Sequence, residues 1–269
     1  MGKGLMDTFK YIFVILAYRN SDDLIECIDS IKDKVPSNRV IVVNAYYDEA
    51  TKEKIKSIAK RFDCDFLNIE NKGYSYGNNR GIEFARLHYQ FDYIVVANPD
   101  IIINQFNDVE QNFDIIAPKI ITASGKNQNP MTARKCGAAR YFIYRGLKNN
   151  NKCLFVCGLA INKIIRSICT TINRNRKYYQ IYAAHGSFVM ISNNVVRTIS
   201  PLYDENMFLF AEENVLAYKS NNRGFKTVYY PGIEIRHKED GSMKISNISI
   251  NNELKKSNIY FYERYIKND

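Results

Sequence analysis

Hydrophobic residues in the first hundred positions gather into short unbroken runs, and stretches with helical spacing separate one run from the next. Residues 11–17 form such a run. Ser21, Asp22 and Asp23 follow as an N-cap with first-turn acids, and Leu24, Ile25, Ile28 and Ile31 repeat on one helical face. Residues 40–43 predict a second buried strand, and residues 50–62 a charged helix with Ile55, Ile58 and Ala59 inward. A strand over 65–69, a helix over 76–89 and a strand over 93–97 continue the pattern, which stops at Asn98-Pro99-Asp100. Strands that are apolar on both sides and alternate with helices predict an α/β fold whose parallel sheet is covered on both faces. Ligands bind beyond the carboxyl ends of such strands. The candidate site therefore lies near residues 17–20, 44–48, 71–79 and 98–100.

The middle third is basic and Asn-rich over 126–177, with a predicted helix over 152–171. Its Leu154, Cys157, Ile161, Ile164, Ile165, Ile168 and Cys169 share a face, while Lys163 and Arg166 carry its charges. A strand over 187–191, a helix over 211–221, a strand over 227–230 and an amphipathic helix over 251–266 follow. No internal repeat interrupts this order. The chain reads as a single domain, 1–269, in four parts: 1–125 and 181–245 as its two halves, 126–180 as a basic insert, and 246–269 as a C-terminal helix.

Charge changes this picture in one place. Of the net +10, a large share comes from the span between Asp114 and Asp204, which has no Asp or Glu and fourteen Lys or Arg. Such a block can meet nucleic acid, an anionic membrane or a phosphorylated substrate, or can simply be a solvated face. Hydrophobic residues at 46% and charged residues at 25% exclude a disordered chain. The six Cys form no CxxC pair, and Cys153 and Cys157 lack partners at zinc spacing, so reduced, buried thiols of a cytosolic protein are expected. The first apolar run has no cleavage site after it, and no stretch approaches the ~20 apolar residues of a membrane span. A soluble or peripheral protein is expected, cytoplasmic or on the inner face of the cell membrane.

Four constellations offer chemistry. Asn98-Pro99-Asp100 ends a buried strand with a carboxylate in a loop stiffened by Pro, which suits a hard cation such as Mg²⁺ or Mn²⁺, though a plain Pro-Asp turn has the same letters. Asn71 to Gly81 (NKGYSYGNNRG) combines glycines, amide side chains and a helix start, a setting for a bound anion or for a capped junction. It is neither GxxxxGK[ST] nor GxGxxG. Asp204 to Glu213 (DENMFLFAEE) sets paired acids behind an aromatic run, where a carboxylate can act as a general base or lie on a helix surface. Pro231 to His237 (PGIEIRH), continuing through Lys238 to Ser242, ends a strand in a His that is either structural or a ligand.

The order of these elements resembles that of the family 2 glycosyltransferases of GT-A fold, particularly their bacterial rhamnosyltransferase-like branch. The matching segments are Asn71–Gly81, Asn98–Asp100, Gly186-Ser187-Phe188, Asp204–Glu213 and Gly224–His237, all in order across residues 11 to 242. The resemblance implies a GT-A type fold: a mostly parallel central sheet flanked by helices on both faces, here with the basic helical insert and the C-terminal helix. It implies that Tyr18 and Asn20 hold the base and ribose, that Asp48 contacts a uracil or thymine, and that Asn71, Gly73, Asn78 and Asn98 line the nucleotide-sugar pocket. Asp100 would bind Mn²⁺ or Mg²⁺, with His237 adding a ligand or touching the diphosphate, and Glu213 would be the catalytic base with Glu212 beside it. Two departures stand out. The second strand ends in Asn44-Ala45-Tyr46-Tyr47-Asp48 where the family has Asp-Asn-x-Ser, and the family's E-D-x-D reads Glu212-Glu213-Asn214-Val215.

The implied activity is that of an inverting, metal-dependent hexosyltransferase. It would move a sugar from a UDP- or dTDP-linked donor to a glycan or lipid-linked oligosaccharide acceptor in bacterial surface polysaccharide synthesis, such as capsule or lipopolysaccharide. The basic insert would then meet an anionic membrane, and a homodimer is compatible with the resemblance. The rival from another class is a catalytically silent sugar-nucleotide binder or scaffold of a polysaccharide assembly, which would keep its partner in Asp100→Ala and Glu213→Ala. A nucleic-acid partner is not expected, because no binding signature accompanies the charge.

Overall fold

The computed structural model describes residues 6–239 and 249–267, so Asp240, Gly241 and Ser242 of the fourth constellation lie outside the described residues. The first half builds β1 (Asp7–Ala17), α1 (Asp22–Lys34), β2 (Asn38–Ala45), α2 (Glu49–Arg61), β3 (Asp65–Ile69), α3 (Tyr74–His88) and β4 (Tyr89–Ala97). After it come β5 (Ile101–Phe106), β6 (Ile115–Thr122), α4 (Gly137–Lys148), α5 (Lys152–Ile172), β7 (Tyr179–Ile181) and β8 (Phe188–Ser192). Last are α6 (Asn193–Thr198), α7 (Glu212–Asn221), β9 (Thr227–His237), α8 (Ile250–Phe261) and a π-helical turn, Tyr262–Ile266.

The strands form one sheet in the order β3-β2-β1-β4-β8-β6-β9-β5, with β7 also paired to β9. Pairing is parallel from β3 to β4. It turns antiparallel at β8, so the start of β8 lies beside the end of β4, with Phe188 opposite Ala97. The reason residues 11–17 of β1 are all apolar is visible in their alternation. Tyr11, Phe13, Ile15 and Ala17 enter a core with Leu24 and Ile28 of α1 and Ile55 of α2. Ile12 and Val14 enter the opposite core with Ile82 of α3 and Leu216 of α7. Both sides of a period-two strand are thus buried.

Glycines let α3 lie flat on this sheet. A Cβ at Gly77 would fall 2.4 Å from Leu16 Cδ1, and one at Gly81 would fall 2.4 Å from Val14 Cγ1. Asn78 falls on the buried side of α3, on one face with Gly81, Ile82 and Ala85 at helical spacing. Beyond residue 100 the sequence pattern predicted fewer elements than exist. β5, β6, β7, α4 and α6 are additional, and β9 runs on to His237 past Pro231 and Gly232.

The basic insert departs furthest from expectation. α5 is long and apolar enough, by length and composition, to cross a membrane, which corrects the reading that no stretch approaches a span. Lys163 and Arg166 break its apolar run and had marked it as amphipathic. Its apolar side chains do not share one packed face: only Gly158 and Cys169 of its 21 residues are buried. For the same reason Cys153 and Cys157 are exposed rather than buried, while Cys27 and Cys169 are buried.

Candidate active site

The carboxyl ends of β1 to β4 and the start of β8 converge, as the parallel topology requires. At the β1–β2 edge, the Arg19 guanidinium lies 4.0 Å over the Tyr47 ring, and Tyr18 meets the same ring edge-on at 5.9 Å. Asn20 and Asp23 bond each other, Nδ2 donating to the carboxylate and the Asp23 N–H returning to Oδ1, so Asn20 braces the start of α1. Exposed Asp48 caps α2 by accepting from the Thr51 N–H at 2.8 Å, and that bonding to Thr51 holds its carboxyl below the usual range. Asn44 is fully buried and donates to Asn68 Oδ1 at 2.6 Å, which places an amide where the family has an acid.

At the start of α3, Asn71 accepts from the Gly73 N–H, and Gly73 takes φ +101°. A side chain there would meet Phe208 O at 2.3 Å, the same oxygen that accepts from the Tyr74 N–H at 2.8 Å. Asn78 is fully buried; its Nδ2 donates to Tyr74 O and supports the helix start, while its Oδ1 has no hydrogen-bond partner among the described residues.

Asp100 is 4% exposed, and its Oδ1 has no hydrogen-bond partner among the described residues. That oxygen faces His237 Nε2 at 3.3 Å. Gln128 Oε1 lies 2.8 Å from His237 Nδ1 and accepts its proton, leaving Nε2 with a lone pair when the imidazole is neutral. An orphaned carboxylate oxygen and an imidazole lone pair turned on each other are a donor set for a hard or borderline divalent cation. Among the described residues no group of three His, Cys, Asp or Glu surrounds one point. The protein would thus supply two ligands, leaving the others to water and substrate phosphate. The pair is fixed from behind, since the Lys238 N–H donates to Asp100 O while its ammonium bridges Asp23 and Glu26 at 2.8 Å each.

The loop His185-Gly186-Ser187 ties this pair to the paired acids. Asn98 N–H donates to Ser187 O at 2.9 Å, and the Tyr74 hydroxyl lies 2.9 Å from Gly186 O and 3.2 Å from Asn98 Oδ1. His185 N–H donates to Asn129 Oδ1 at 2.8 Å, and its ring stands 5.9 Å from that of His237. Burial, reinforced by His237, pulls the His185 imidazole down to about 4, so it is neutral. Its Nδ1 accepts from the Ser187 N–H, which leaves the proton on Nε2.

On the other side of the loop, Gly186 N–H donates to Glu213 Oε1 at 3.3 Å. Glu213 is half-buried, whereas Glu212 is 4% exposed with Oε1 unpartnered among the described residues. Burial raises both carboxyls, and Glu212, which also feels the Glu213 charge, is pushed up to about 8. Adjacent buried acids of this kind lose their protons as a pair rather than independently. Phe210 and Ala211, with φ of 72° and 66°, hold the strained backbone that delivers these acids to the first turn of α7.

His185, Gln128 and Tyr74 are absent from the sequence-derived set. Two of them carried a sequence signal: His185 directly precedes the Gly-Ser-Phe strand and is one of three His in the chain, and Tyr74 lies inside the Asn71–Gly81 segment.

No protein-family model matches the chain. A curated relative, the low-salt glycan biosynthesis hexosyltransferase Agl10 of Haloferax volcanii, is 23% identical over 218 residues, 77% of this chain and 60% of the relative. Among solved structures, GalNAc-T7, crystallised with UDP, GalNAc and Mn²⁺, superposes with a TM-score of 0.58 at 14% identity, over 86% of this chain and 44% of that one. TarS of S. aureus superposes with a TM-score of 0.54 at 10% identity, over 85% and 36%. The chain thus spans 60% of the curated relative and less than half of each solved structure. Its sheet order, its flanking helices and these neighbours agree on one point: the chain has the GT-A glycosyltransferase fold.

Proposed function

We propose that the protein is an inverting glycosyltransferase that takes a hexose from a UDP- or dTDP-linked donor to a glycan or lipid-linked acceptor during surface polysaccharide synthesis. The observation that carries this reading is the loop at 185–187, which bonds Glu213 on one side and Asn98, neighbour of Asp100, on the other. Support also comes from the hexosyltransferase relative and from a GT-A neighbour whose crystals hold UDP and Mn²⁺.

In this mechanism the donor lies across the strand ends, its base toward Tyr18 and Tyr47. Asp100 and His237 would hold Mn²⁺ or Mg²⁺, which neutralises charge on the departing diphosphate. Glu213 accepts the proton of the acceptor hydroxyl. The oxygen then bonds the anomeric carbon from the face opposite the breaking C–O bond, whose electron pair leaves with the nucleoside diphosphate. Burial and the neighbouring charge favour the protonated form of Glu212, while the Gly186 N–H that donates to Glu213 Oε1 favours the carboxylate there. Gly186 N–H and the Tyr74 hydroxyl hold the loop and the base in register, so the protein's contribution is placement and preset charge.

The test is a donor screen by release of nucleoside diphosphate with Mn²⁺ or Mg²⁺, comparing UDP-, dTDP- and GDP-sugars, in wild type, Asp100→Ala and Glu213→Ala. Turnover with one donor that both variants abolish is the expected result. Binding of no nucleotide sugar at all would sink the reading, and binding without turnover under any acceptor would favour a silent binder.

A further inference from the structure

α5 is held along one side only. At Gly146 of α4 an added Cβ would stand 2.4 Å from Phe155 N, and at Gly158 of α5 one would stand 2.7 Å from Ala139 O, so the two helices touch backbone to backbone. Arg166 donates to the carbonyl of Asn127. Away from that seam, Val156, Ile164, Ile168 and Ile172 follow one another at multiples of four and are 58, 59, 55 and 71% exposed. Aliphatic side chains in such a row mark a surface that something apolar covers.

A cavity of about 330 Å³ opens beside this row, between α4, α5, α7 and the C-terminal helix. Leu159, 46% exposed, belongs to both the cavity wall and the exposed helix surface. Arg140, Lys163 and Arg166 line the cavity, and among the described residues no carboxylate does. Both terminal nitrogens of Arg140 are buried without a hydrogen-bond partner among the described residues, while the guanidinium packs at 4.4 Å on the Tyr182 ring. Buried N–H groups of a cation left unmet are costly, and a phosphate oxygen is the acceptor that suits their fork. Asn214, next in the chain to Glu213, is also a wall residue.

We propose that this cavity is a phosphate site for the head group of a membrane lipid, and that the aliphatic row of α5 lies in the same lipid surface. Charge complementarity commits the occupant: no acid interrupts the chain between Asp114 and Asp204, and fourteen cations stand in that span. The helix lies in the plane of the surface, because crossing would drag Lys163 and Arg166 through hydrocarbon. Lipid binding stands by itself. The identity of that lipid as the glycosyl acceptor rests on the transferase reading, which Asn214 beside Glu213 brings within reach.

Flotation with vesicles of phosphatidylcholine alone, with added phosphatidic acid, or with added phosphatidylglycerol tests this. The full chain floats best with phosphatidic acid, whose terminal phosphate fits the site, and high salt weakens it. Lys163→Gln and Arg140→Gln each lower flotation with phosphatidic acid at least tenfold, and Ile164→Ser/Ile168→Ser lowers it at least tenfold with every vesicle. Lys163 and the two isoleucines are exposed, so these variants fold even if Arg140→Gln does not. Absence of flotation, equal flotation with phosphatidylcholine alone, or indifference to the cation changes would overturn the proposal. So would binding of free pyrophosphate, followed by equilibrium dialysis, in a chain that ignores vesicles, since it would make the cavity a soluble-anion site. UDP binding by the wild type is measured separately: its failure sinks the transferase reading and leaves the lipid site standing.

Discussion

The backbone N–H of Gly186 donates to Glu213 Oε1, and a β-carbon at Gly186 would stand 2.8 Å from that oxygen. Gly186→Ala therefore pushes the carboxylate off its donor without straining the backbone. Displacement of a reacting group by about 1 Å costs on the order of a hundredfold in rate. Steady-state kinetics of the variant should show kcat down by about that factor with KM for the donor nearly unchanged. An unaltered kcat would remove Glu213 from the chemistry.

Gln128 holds His237 at Nδ1 and so fixes which nitrogen of the imidazole is free. Gln128→Leu loosens the imidazole and should weaken Mn²⁺ binding by about 10–100-fold, the usual effect of losing a partner behind a metal ligand. Calorimetric titration of Mn²⁺ in the presence of UDP checks this, and Gln128→Asn should restore part of the affinity. A metal affinity equal to wild type would mean that His237 is not a ligand.

Glu212 gives the fold a pH dependence of definite sign. Its carboxyl moves from an ordinary 4.5 to about 8 on folding, through burial and the neighbouring Glu213 charge, so the folded state favours the protonated form. Stability from this group is full below about pH 4.5 and is lost as pH rises towards about 8, by at most about 1.4 kcal/mol per unit. Urea unfolding between pH 5 and 8 should therefore show a falling difference between wild type and Glu212→Gln. A difference that stays flat with pH would mean that Glu212 is ionised in the fold.

Asp204 works in the opposite sense. Burial alone would raise its carboxyl, but bonds from the Tyr265 hydroxyl, the Asn206 amides and the Tyr260 hydroxyl outweigh it and hold the group below the usual range. The carboxylate thereby pins the C-terminal helix to the loop that precedes the paired acids. Tyr265→Phe removes a 2.6 Å bond and should cost about 1.5–3 kcal/mol above the ordinary carboxylate range. The cost should shrink as pH falls below that range, which thermal unfolding at pH 7 and pH 3 can compare.

Much of the first half was legible because its signals are local. The solid runs at 11–17 and 40–43 could only be strands buried twice, and β1 does feed two cores. The strand end at Asp100 followed from the same reading. What stayed hidden depends on residues brought together from far along the chain. Gln128 reaches His237 across 109 positions, from an Asn-rich loop with no periodicity. His185 meets Asn129 across 56. Asn78 shares the helical face of Gly81, Ile82 and Ala85, and its burial follows from that spacing. α5 misled because its aliphatic residues stand on more than one side of the helix, and only packing shows which side is left uncovered.

β9 counts its residues by parity. Its partner β6 advances one position from Pro118 to Lys119 while β9 advances from Tyr230 to Glu234, looping out the three residues Pro231, Gly232 and Ile233 before pairing resumes. Since side chains alternate along a strand, an odd excess reverses which face the later residues present. His237 reaches Asp100 only on the reversed face. Loss of a single residue from that stretch, with a three-residue bulge kept, would set His237 opposite Ile121 instead of Thr122 and turn the imidazole to the other side of the sheet, whereas loss of two would return it to that side.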